Sequence, residues 1–195
     1  GGSLDLLNYG ELVYFERPEK SLHIINSFDI INTFSPIRDD LMKTSYGFYI
    51  AELTGIVVPE NSASPRIFQL VLRVLSAMEN VNNPTLLIHT FELKILALSG
   101  YKPELSRCVM CNNSIDKLYS KNLKSRIRFV PRLGGIVCGN CYYPQQSSSI
   151  ELSQGSRALM RRLQNLELSN ISRFKASEQN FREIRSAISA FISYH

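Results

Sequence analysis

The pattern of apolar and polar positions divides the chain into a short β-rich start and a longer helical remainder. Residues 12–15 and 22–25 are rich in β-branched and aromatic side chains and flank the turn-forming segment 17–20, which predicts a hairpin. From residue 35 onward, apolar positions recur at intervals of three and four, as they do on one face of a helix. The pattern therefore predicts a mainly α protein that starts with a short β segment.

Each predicted helix begins at a capping sequence. Ser35-Pro36, Ser64-Pro65 and Asn83-Pro84 each place a capping side chain before a proline, which the first helical turn accepts readily. The third of these helices is expected to end at Gly100, because glycine can adopt the left-handed conformation that closes a helix. Its apolar stripe, interpreted as core, consists of Leu87, Phe91, Ile95 and Leu98. Two later helices are predicted from about Ser153 and from about Ser177.

Composition is that of an ordinary globular protein. Of the 195 residues, 44% are hydrophobic and 20% are charged, which excludes extensive disorder. No apolar run approaches the ~20 residues that a membrane span needs, so no membrane is expected among the partners. Residues 1–20 include acidic side chains and lack a continuous apolar stretch, so no signal peptide is predicted.

Positive charge is concentrated in the second half of the chain. The net charge is +5, and residues 112–137 alone carry six basic side chains and one acidic side chain. Such a cluster is typical of a surface that binds phosphate. A solvated basic surface without any ligand produces the same pattern. Charge alone leaves both interpretations open.

The four cysteines of the chain form two Cys-x-x-Cys pairs, Cys108 with Cys111 and Cys138 with Cys141. A two-residue spacer lets both sulfurs of a pair turn inward, and two such turns together make the tetrahedral four-sulfur site that zinc prefers. Between the pairs, residues 126–130 alternate as a strand and residues 133–137 read as a turn and a return strand, which predicts a zinc ribbon. Gly139 is expected to supply a positive backbone angle in the second turn.

Three other uses of the cysteines compete with zinc. Two disulfides suit an exported protein, but no export signal is present. A thioredoxin-like redox site, and with it a thiol oxidoreductase function, uses one pair and leaves the other unexplained. Free buried thiols do not account for the repeated spacing. Four thiolate ligands leave no open coordination position, so the predicted zinc is structural rather than catalytic.

No catalytic motif is found in the sequence. The three histidines, His23, His89 and His195, are isolated, and His89 is interpreted as a packed residue on an apolar helix. No Gly-rich phosphate loop, HExxH or GxSxG motif occurs. The chain is therefore predicted not to be an enzyme.

Several segments in a fixed order carry a resemblance to a known family. They are residues 49–53, 68–70, 91–96, 100–105 with the following 108–111, and 129–138. Together they resemble the bacterial RecO family of recombination mediators over nearly the whole chain. The resemblance implies a cytoplasmic, nucleoid-associated DNA repair protein. It would bind and anneal single-stranded DNA, engage the acidic tail of the single-stranded-DNA-binding protein, and help RecR to load the recombinase.

The resemblance also implies a domain order of oligonucleotide-binding (OB) barrel, helical domain and zinc module. Residues 1–32 have room only for the last strands of such a barrel and are expected to be its remnant. Residues 33–107 and 142–195 are expected to form the helical domain. Residues 108–141 are expected to form the zinc ribbon inserted into it.

Two groups of basic residues are predicted to contact phosphate or an acidic partner. On the ribbon, alternation places Arg126 and Arg128 on one face while Ile127 and Phe129 pack on the other. On the penultimate helix, Arg157 and Arg161 share a face. The full set is Lys121, Lys124, Arg126, Arg128, Arg132, Arg157, Arg161 and Arg162. The alternative function is a zinc-stabilised adaptor that contacts proteins only, because charge cannot distinguish a phosphate from a carboxylate.

Overall fold

The computed structural model describes residues 5–18, 20, 22–60, 62–120, 127–143 and 148–195. Its helices are α1 (Ser35–Arg38), α2 (Leu41–Val57), α3 (Pro65–Glu79), α4 (Thr85–Leu98), α5 (Ile115–Ser120), α6 (Gln154–Asn165) and α7 (Glu178–Tyr194). Its strands are β1 (Tyr9–Phe15), β2 (Ile24–Asn32), β3 (Ile127–Val130), β4 (Gly135–Val137) and β5 (Ile150–Leu152), and two 3₁₀ helices span Pro131–Leu133 and Leu168–Arg173. In these ranges no helix is long and apolar enough to cross a membrane.

The predicted N-terminal hairpin is present and is longer than expected. β1 and β2 pair antiparallel from Tyr9 opposite Asn32 to Phe15 opposite Ile24. Its base is attached to the helices, where the Tyr9 ring packs edge-on against Phe68 at 5.9 Å between ring centroids. Towards the turn, the apolar side chains of both strands are exposed, and Phe15 retains 62% of its accessible surface. The hairpin therefore extends away from the helical core.

The first predicted helix is interrupted near its start. The sequence pattern predicts a single helix that starts at Ser35-Pro36, but α1 ends at Arg38 and a second helix, α2, begins at Leu41. The cause is Asp40, whose carboxylate accepts hydrogen bonds from the backbone N–H of Met42 at 2.9 Å and of Lys43 at 3.1 Å. An N-cap aspartate starts a new helix because it satisfies N–H groups that lack helical partners.

Helix α4 runs through the centre of the core. The predicted apolar stripe is narrower than the buried surface of the helix, since every residue from Leu86 to Leu93 is buried. Leu98, which was predicted to belong to the stripe, is 42% exposed. A helix that is buried on all sides carries no single apolar face. The predicted stop at Gly100 is confirmed, because Gly100 has φ +88° and the N–H of Tyr101 bonds the carbonyl of Leu96 at 2.8 Å.

A three-stranded antiparallel sheet lies beside α6 and α7 in the order β4–β3–β5. The ribbon strands β3 and β4 are confirmed, whereas β5 was not predicted from the sequence. β5 pairs with β3 through Ile127 opposite Leu152 and Phe129 opposite Ile150, so the sheet continues beyond the last cysteine. Phe129 packs edge-on against Phe191 of α7 at 5.6 Å, which joins the sheet to the helices.

The two C-terminal helices begin where their caps predicted. Ser153 accepts the backbone N–H of Ser156 at the start of α6, and Ser177 accepts that of Asn180 at the start of α7. The Asn180 side chain accepts the N–H of Ser177 in return, which completes a reciprocal cap. Both helices are thus positioned by local sequence as well as by packing.

Candidate metal centre and basic surfaces

The four cysteines lie in two tight turns that face each other. In the first, the N–H of Asn112 bonds the carbonyl of Cys108 at 2.8 Å, and Asn112 has φ +58°. In the second, which follows β4, the N–H of Cys141 bonds the carbonyl of Cys138 at 3.0 Å. The prediction for Gly139 was wrong. The second turn, residues 138–141, contains no residue with a positive φ, and the residue with the left-handed conformation is Asn112 in the first turn.

The sulfur atoms lie at metal-ligand spacing. All four Sγ atoms are within 4.8 Å of one another, and Cys111 Sγ lies 3.9 Å from Cys138 Sγ. A tetrahedral zinc site with bonds of about 2.3 Å separates its sulfurs by roughly 3.8 Å, whereas a disulfide needs about 2.05 Å. Cys108 and Cys138 are buried, and Cys111 is exposed. The cluster therefore fits a four-thiolate metal site and does not fit disulfides.

The thiols differ in how readily they lose their protons. Burial raises the pKa of Cys108, but hydrogen bonds from backbone N–H groups, that of Cys138 first at 3.4 Å, outweigh burial and lower the pKa to about 7. Burial raises the pKa of Cys138, and it raises the pKa of Cys141 to about 12. A metal bound here would displace protons from the thiols as it binds.

The first cysteine turn is fixed to β4 through the backbone. Glu104 donates its N–H to the carbonyl of Gly134 at 2.9 Å and accepts the N–H of Ile136 at 3.0 Å. Val109 donates its N–H to the carbonyl of Ile136 at 2.9 Å. The approach is close at Gly135, where an added Cβ would stand 2.5 Å from the Glu104 carbonyl oxygen. This attachment brings the two cysteine pairs together.

The predicted basic ribbon is described only in part. Lys121, Lys124 and Arg126 lie outside the described residues. Ile127 and Phe129 are buried, as the alternation predicted. Arg128 lies 4.8 Å from the centre of the Tyr142 ring, and its Nη1 donates to Ser149 Oγ at 3.2 Å. Arg128 also forms an ion pair with Glu151 at 3.4 Å, whereas Arg132 is exposed on the 3₁₀ helix that follows β3.

The three arginines of α6 do not form one surface. Arg157 is 3% exposed and donates to the Leu105 carbonyl at 3.0 Å and to Asp116. Arg157 is therefore a packing residue and is not available to a ligand, which corrects its assignment as a binding residue. Arg161 is exposed but donates to Asp116 at 2.6 Å. Hydrogen bonds from Arg161, then from Arg157, lower the pKa of Asp116. Arg162 is exposed and lines a separate cleft.

A buried polar group joins α2 to α4. Glu92 accepts a hydrogen bond from the Tyr49 hydroxyl at 2.7 Å, and its second oxygen lies 2.8 Å from His89 Nδ1. Burial, then the charge of Glu92, raises the pKa of Tyr49. His89 is 5% exposed, which confirms its prediction as a packed histidine. Glu92 was not predicted from the sequence, although its spacing of three residues from His89 was the available signal.

The chain matches a known family along most of its length. A family model described as Recombination protein O C terminal matches residues 38–195. The chain belongs to the RecO family. Among its relatives, DNA repair protein RecO of Dehalococcoides mccartyi is 33% identical over 194 residues, which are 99% of this chain and 72% of the relative. DNA repair protein RecO of Acetivibrio thermocellus is 28% identical over 181 residues, which are 92% of this chain and 67% of the relative.

This match confirms the RecO resemblance noted in the sequence. The region matched by the RecO family model contains all four cysteines and every predicted basic residue. The hairpin of β1 and β2 precedes that region, while the alignment to the Dehalococcoides mccartyi RecO covers nearly the whole chain and includes the hairpin. The metal-ligand cluster and the basic surfaces thus belong to the RecO-like part of the chain.

Proposed function

We propose that this chain acts in DNA repair and recombination as a mediator that is not an enzyme. It binds single-stranded DNA, promotes annealing of complementary strands, and assists RecR and the single-stranded-DNA-binding protein in loading the recombinase. The observation that carries the proposal is the membership of the RecO family, with relatives named DNA repair protein RecO that align to nearly the whole chain.

The charge distribution supports a role in annealing. Two complementary strands repel each other through their phosphates, and lysine and arginine side chains reduce this repulsion without reading the base sequence. Arg132 and Arg162 are exposed in the structure. We assign Lys121, Lys124, Arg126 and Arg128 to the same surface as Arg132, and we propose Arg161 and Arg162 as further contacts that lie in separate clefts. The acidic tail of the single-stranded-DNA-binding protein is a further ligand for these cations.

We propose that the four cysteines hold one structural zinc ion. Cys108, Cys111, Cys138 and Cys141 supply four soft ligands, and no fifth side chain or open position is needed. The two turns that carry the cysteines also connect the segment before Cys108 to β4. A bound zinc would therefore keep the ribbon in a fixed position against α6 and α7.

We infer the division of the chain into domains from its membership of the RecO family. We assign residues 1–32 to the end of an OB barrel, residues 33–107 and 142–195 to a helical domain, and residues 108–141 to the zinc ribbon. The paired strands β1 and β2 with their exposed apolar side chains support the first assignment, since a barrel would cover those side chains. We place the protein in the bacterial cytoplasm, associated with the nucleoid.

A second candidate function is a zinc-stabilised adaptor that contacts only proteins. The exposed apolar side chains of the hairpin favour it, because a large exposed apolar surface commonly marks a protein interface. Phe15 and Ile31 are each 62% exposed. An adaptor and a mediator differ in one measurable property, which is direct affinity for single-stranded DNA.

Affinity for a fluorescent oligothymidylate, measured over a range of salt concentrations, tests the proposal. Lys124→Glu together with Arg126→Glu should weaken binding and reduce the slope of log K against log salt by about 1.4, since each phosphate contact with a single strand contributes about 0.7. The matched control reverses two exposed charges on α7, Arg182→Glu with Arg185→Glu. Equal losses in both double variants would remove the ribbon as a binding surface, and no binding by the wild type would favour the adaptor.

Elemental analysis and strand annealing test the metal. We expect about one zinc per chain, and we expect chelation to unfold the ribbon and to reduce annealing, because structural zinc contributes directly to folding. Cys108→Ser should abolish zinc retention, whereas Ser114→Ala, close to the first turn, should not. Full occupancy of Cys108→Ser would contradict the assignment of the ligands.

A further inference from the structure

A second cationic surface lies apart from the ribbon, in a cleft between α6, the 3₁₀ helix Leu168–Arg173 and the start of α7. Its volume is about 730 Å³. The charged side chains that line it are Arg162, Arg173 and Lys175, and no acidic side chain of the described chain lines it. These three cations are exposed, and none forms an ion pair with a carboxylate among the residues that the structure describes.

A neighbouring cleft at the first cysteine turn provides a contrast. It has about 690 Å³, and its basic lining residues include Arg161 and Lys117. It is also lined by Glu104 and Asp116, and Asp116 is bonded to Arg161 at 2.6 Å. Its positive charge is therefore partly neutralised within the protein. Arg161 and Arg162 are adjacent in α6 but differ in their surroundings. Arg161 is hydrogen-bonded to Asp116, whereas Arg162 lines the cleft whose charged side chains are all basic.

The positive cleft also contains an aromatic side chain. Phe174 lies between Arg173 and Lys175 in sequence, is half-buried against the core, and lines the cleft. Asn170 lines it as well and carries an amide that can bond the edge of a base. An aromatic ring next to uncompensated cations suits single-stranded nucleic acid, because bases stack on the ring while arginine and lysine contact the phosphates. A carboxylate-rich peptide would use the cations but would have no use for the ring.

We propose that this cleft binds a nucleotide of a single strand, with phosphates on Arg162, Arg173 and Lys175 and a base stacked on Phe174. The inference rests on the proposed function, because it locates a contact of the single-stranded DNA that the protein binds. It adds Arg173, Phe174 and Lys175 to the binding residues. None of the three was selected from the sequence.

The test uses the full chain and a fluorescent oligothymidylate. Phe174→Leu keeps an apolar side chain against the core and removes the ring, and it should weaken binding about 5-fold or more, since stacking on one aromatic side chain is worth about 1–3 kcal/mol per base. The control is Phe48→Leu on α2, an aromatic residue that is 46% exposed away from the cleft and should leave affinity unchanged. An oligonucleotide with abasic sites should bind wild type and Phe174→Leu equally.

The cations are tested separately, so that the result does not depend on the folding of Phe174→Leu. Arg173→Gln with Lys175→Gln changes two exposed side chains and should reduce the salt slope by about 1.4. The matched control is Arg182→Gln with Arg185→Gln, two exposed cations of α7 that do not line the cleft, and it should leave the slope unchanged.

The possible outcomes distinguish a failure of the cleft inference from a failure of the proposed function. If the wild type binds the strand and both sets of cleft variants bind it equally well, the cleft inference is overturned and the proposed function stands. If the wild type binds no single strand, both are overturned. If the cleft variants lose affinity for a polyglutamate peptide but retain it for the oligothymidylate, the cleft is an acidic-peptide site and the inference is wrong.

Discussion

Arg157 Nη1 donates a hydrogen bond of 3.0 Å to the carbonyl oxygen of Leu105, 52 positions earlier in the chain. Both residues are buried, with 3% of Arg157 and 1% of Leu105 exposed. Leu105 lies three residues before the first cysteine, so the bond connects α6 to the segment that leads into the metal-ligand cluster. A buried carbonyl that loses its donor retains the full cost of its desolvation.

Arg157→Met should therefore lower the free energy of unfolding by about 1–3 kcal/mol, the cost of a stranded buried polar group. Urea denaturation at neutral pH measures this difference. The control is Arg161→Met. Arg161 bonds the carboxylate of Asp116, as Arg157 does, but Arg161 is exposed, and exposed ion pairs contribute about 0–1 kcal/mol. Equal losses in the two variants would contradict the structural role of Arg157.

Asp116 makes stability depend on acid pH. Hydrogen bonds from Arg161 and Arg157 lower its pKa in the folded state, against a smaller opposite effect of burial. A carboxyl group whose pKa is lower in the folded state stabilises that state at pH values above its unfolded pKa of about 3.9. This stabilisation is lost as the pH falls through the folded pKa. Asp116→Asn lacks the contribution at every pH.

The stability difference between wild type and Asp116→Asn should therefore be constant above about pH 5 and should shrink as pH falls below about 4. Urea denaturation at a series of pH values measures it. Asp39→Asn is the control, because within the described residues the Asp39 side chain has neither a hydrogen bond nor an ion pair. A pH-independent difference for Asp116→Asn down to pH 2 would contradict the prediction.

Features that depend on neighbouring residues in sequence were predictable. Ser153, Ser177 and Gly100 mark helix ends because a cap is formed within a few residues. The pairing of the cysteines into one cluster was also predictable, since two equal spacings that use every cysteine of the chain favour a single four-sulfur site.

Features that depend on distant residues were not predictable from one sequence. β5 is a strand because it pairs with β3, and its three residues alone carry too little pattern to show this. The apolar residues of α4 look like one stripe with extra hydrophobic positions until other helices are known to surround it. Arg157 looks like a surface arginine until Leu105 and Asp116 are placed beside it. In each case a tertiary contact overrides the local signal.

Gly135 should be sensitive to the smallest substitution. The Cβ of Gly135→Ala would stand 2.5 Å from the Glu104 carbonyl oxygen and 2.9 Å from Val109 Cγ1, so the first cysteine turn and β4 would have to separate. We expect a loss of about 1–3 kcal/mol in unfolding free energy, as for other overpacked sites. Thermal unfolding with zinc present measures the change.

Gly55→Ala is the matched control for Gly135→Ala. Gly55 lies in α2 with no atom within 4 Å of an added Cβ. Alanine is favoured over glycine in a helix by about 0.5–1 kcal/mol, so this variant should be more stable than wild type. The two alanine substitutions should thus have opposite signs, and a neutral Gly135→Ala would show that the Glu104 contact can relax.

Tyr49→Phe tests the buried polar group between α2 and α4. The substitution removes the hydroxyl that donates to Glu92 Oε1 at 2.7 Å, and Glu92 is only 8% exposed. Hydrogen bonds to charged groups contribute about 1.5–3 kcal/mol, and we expect a loss of that size in urea denaturation. Tyr46→Phe is the control, because the Tyr46 hydroxyl makes no hydrogen bond with the described residues. If Tyr49→Phe were as stable as Tyr46→Phe, Glu92 would have to be satisfied by His89 alone, and the Tyr49 bond would not help to hold α2 against α4.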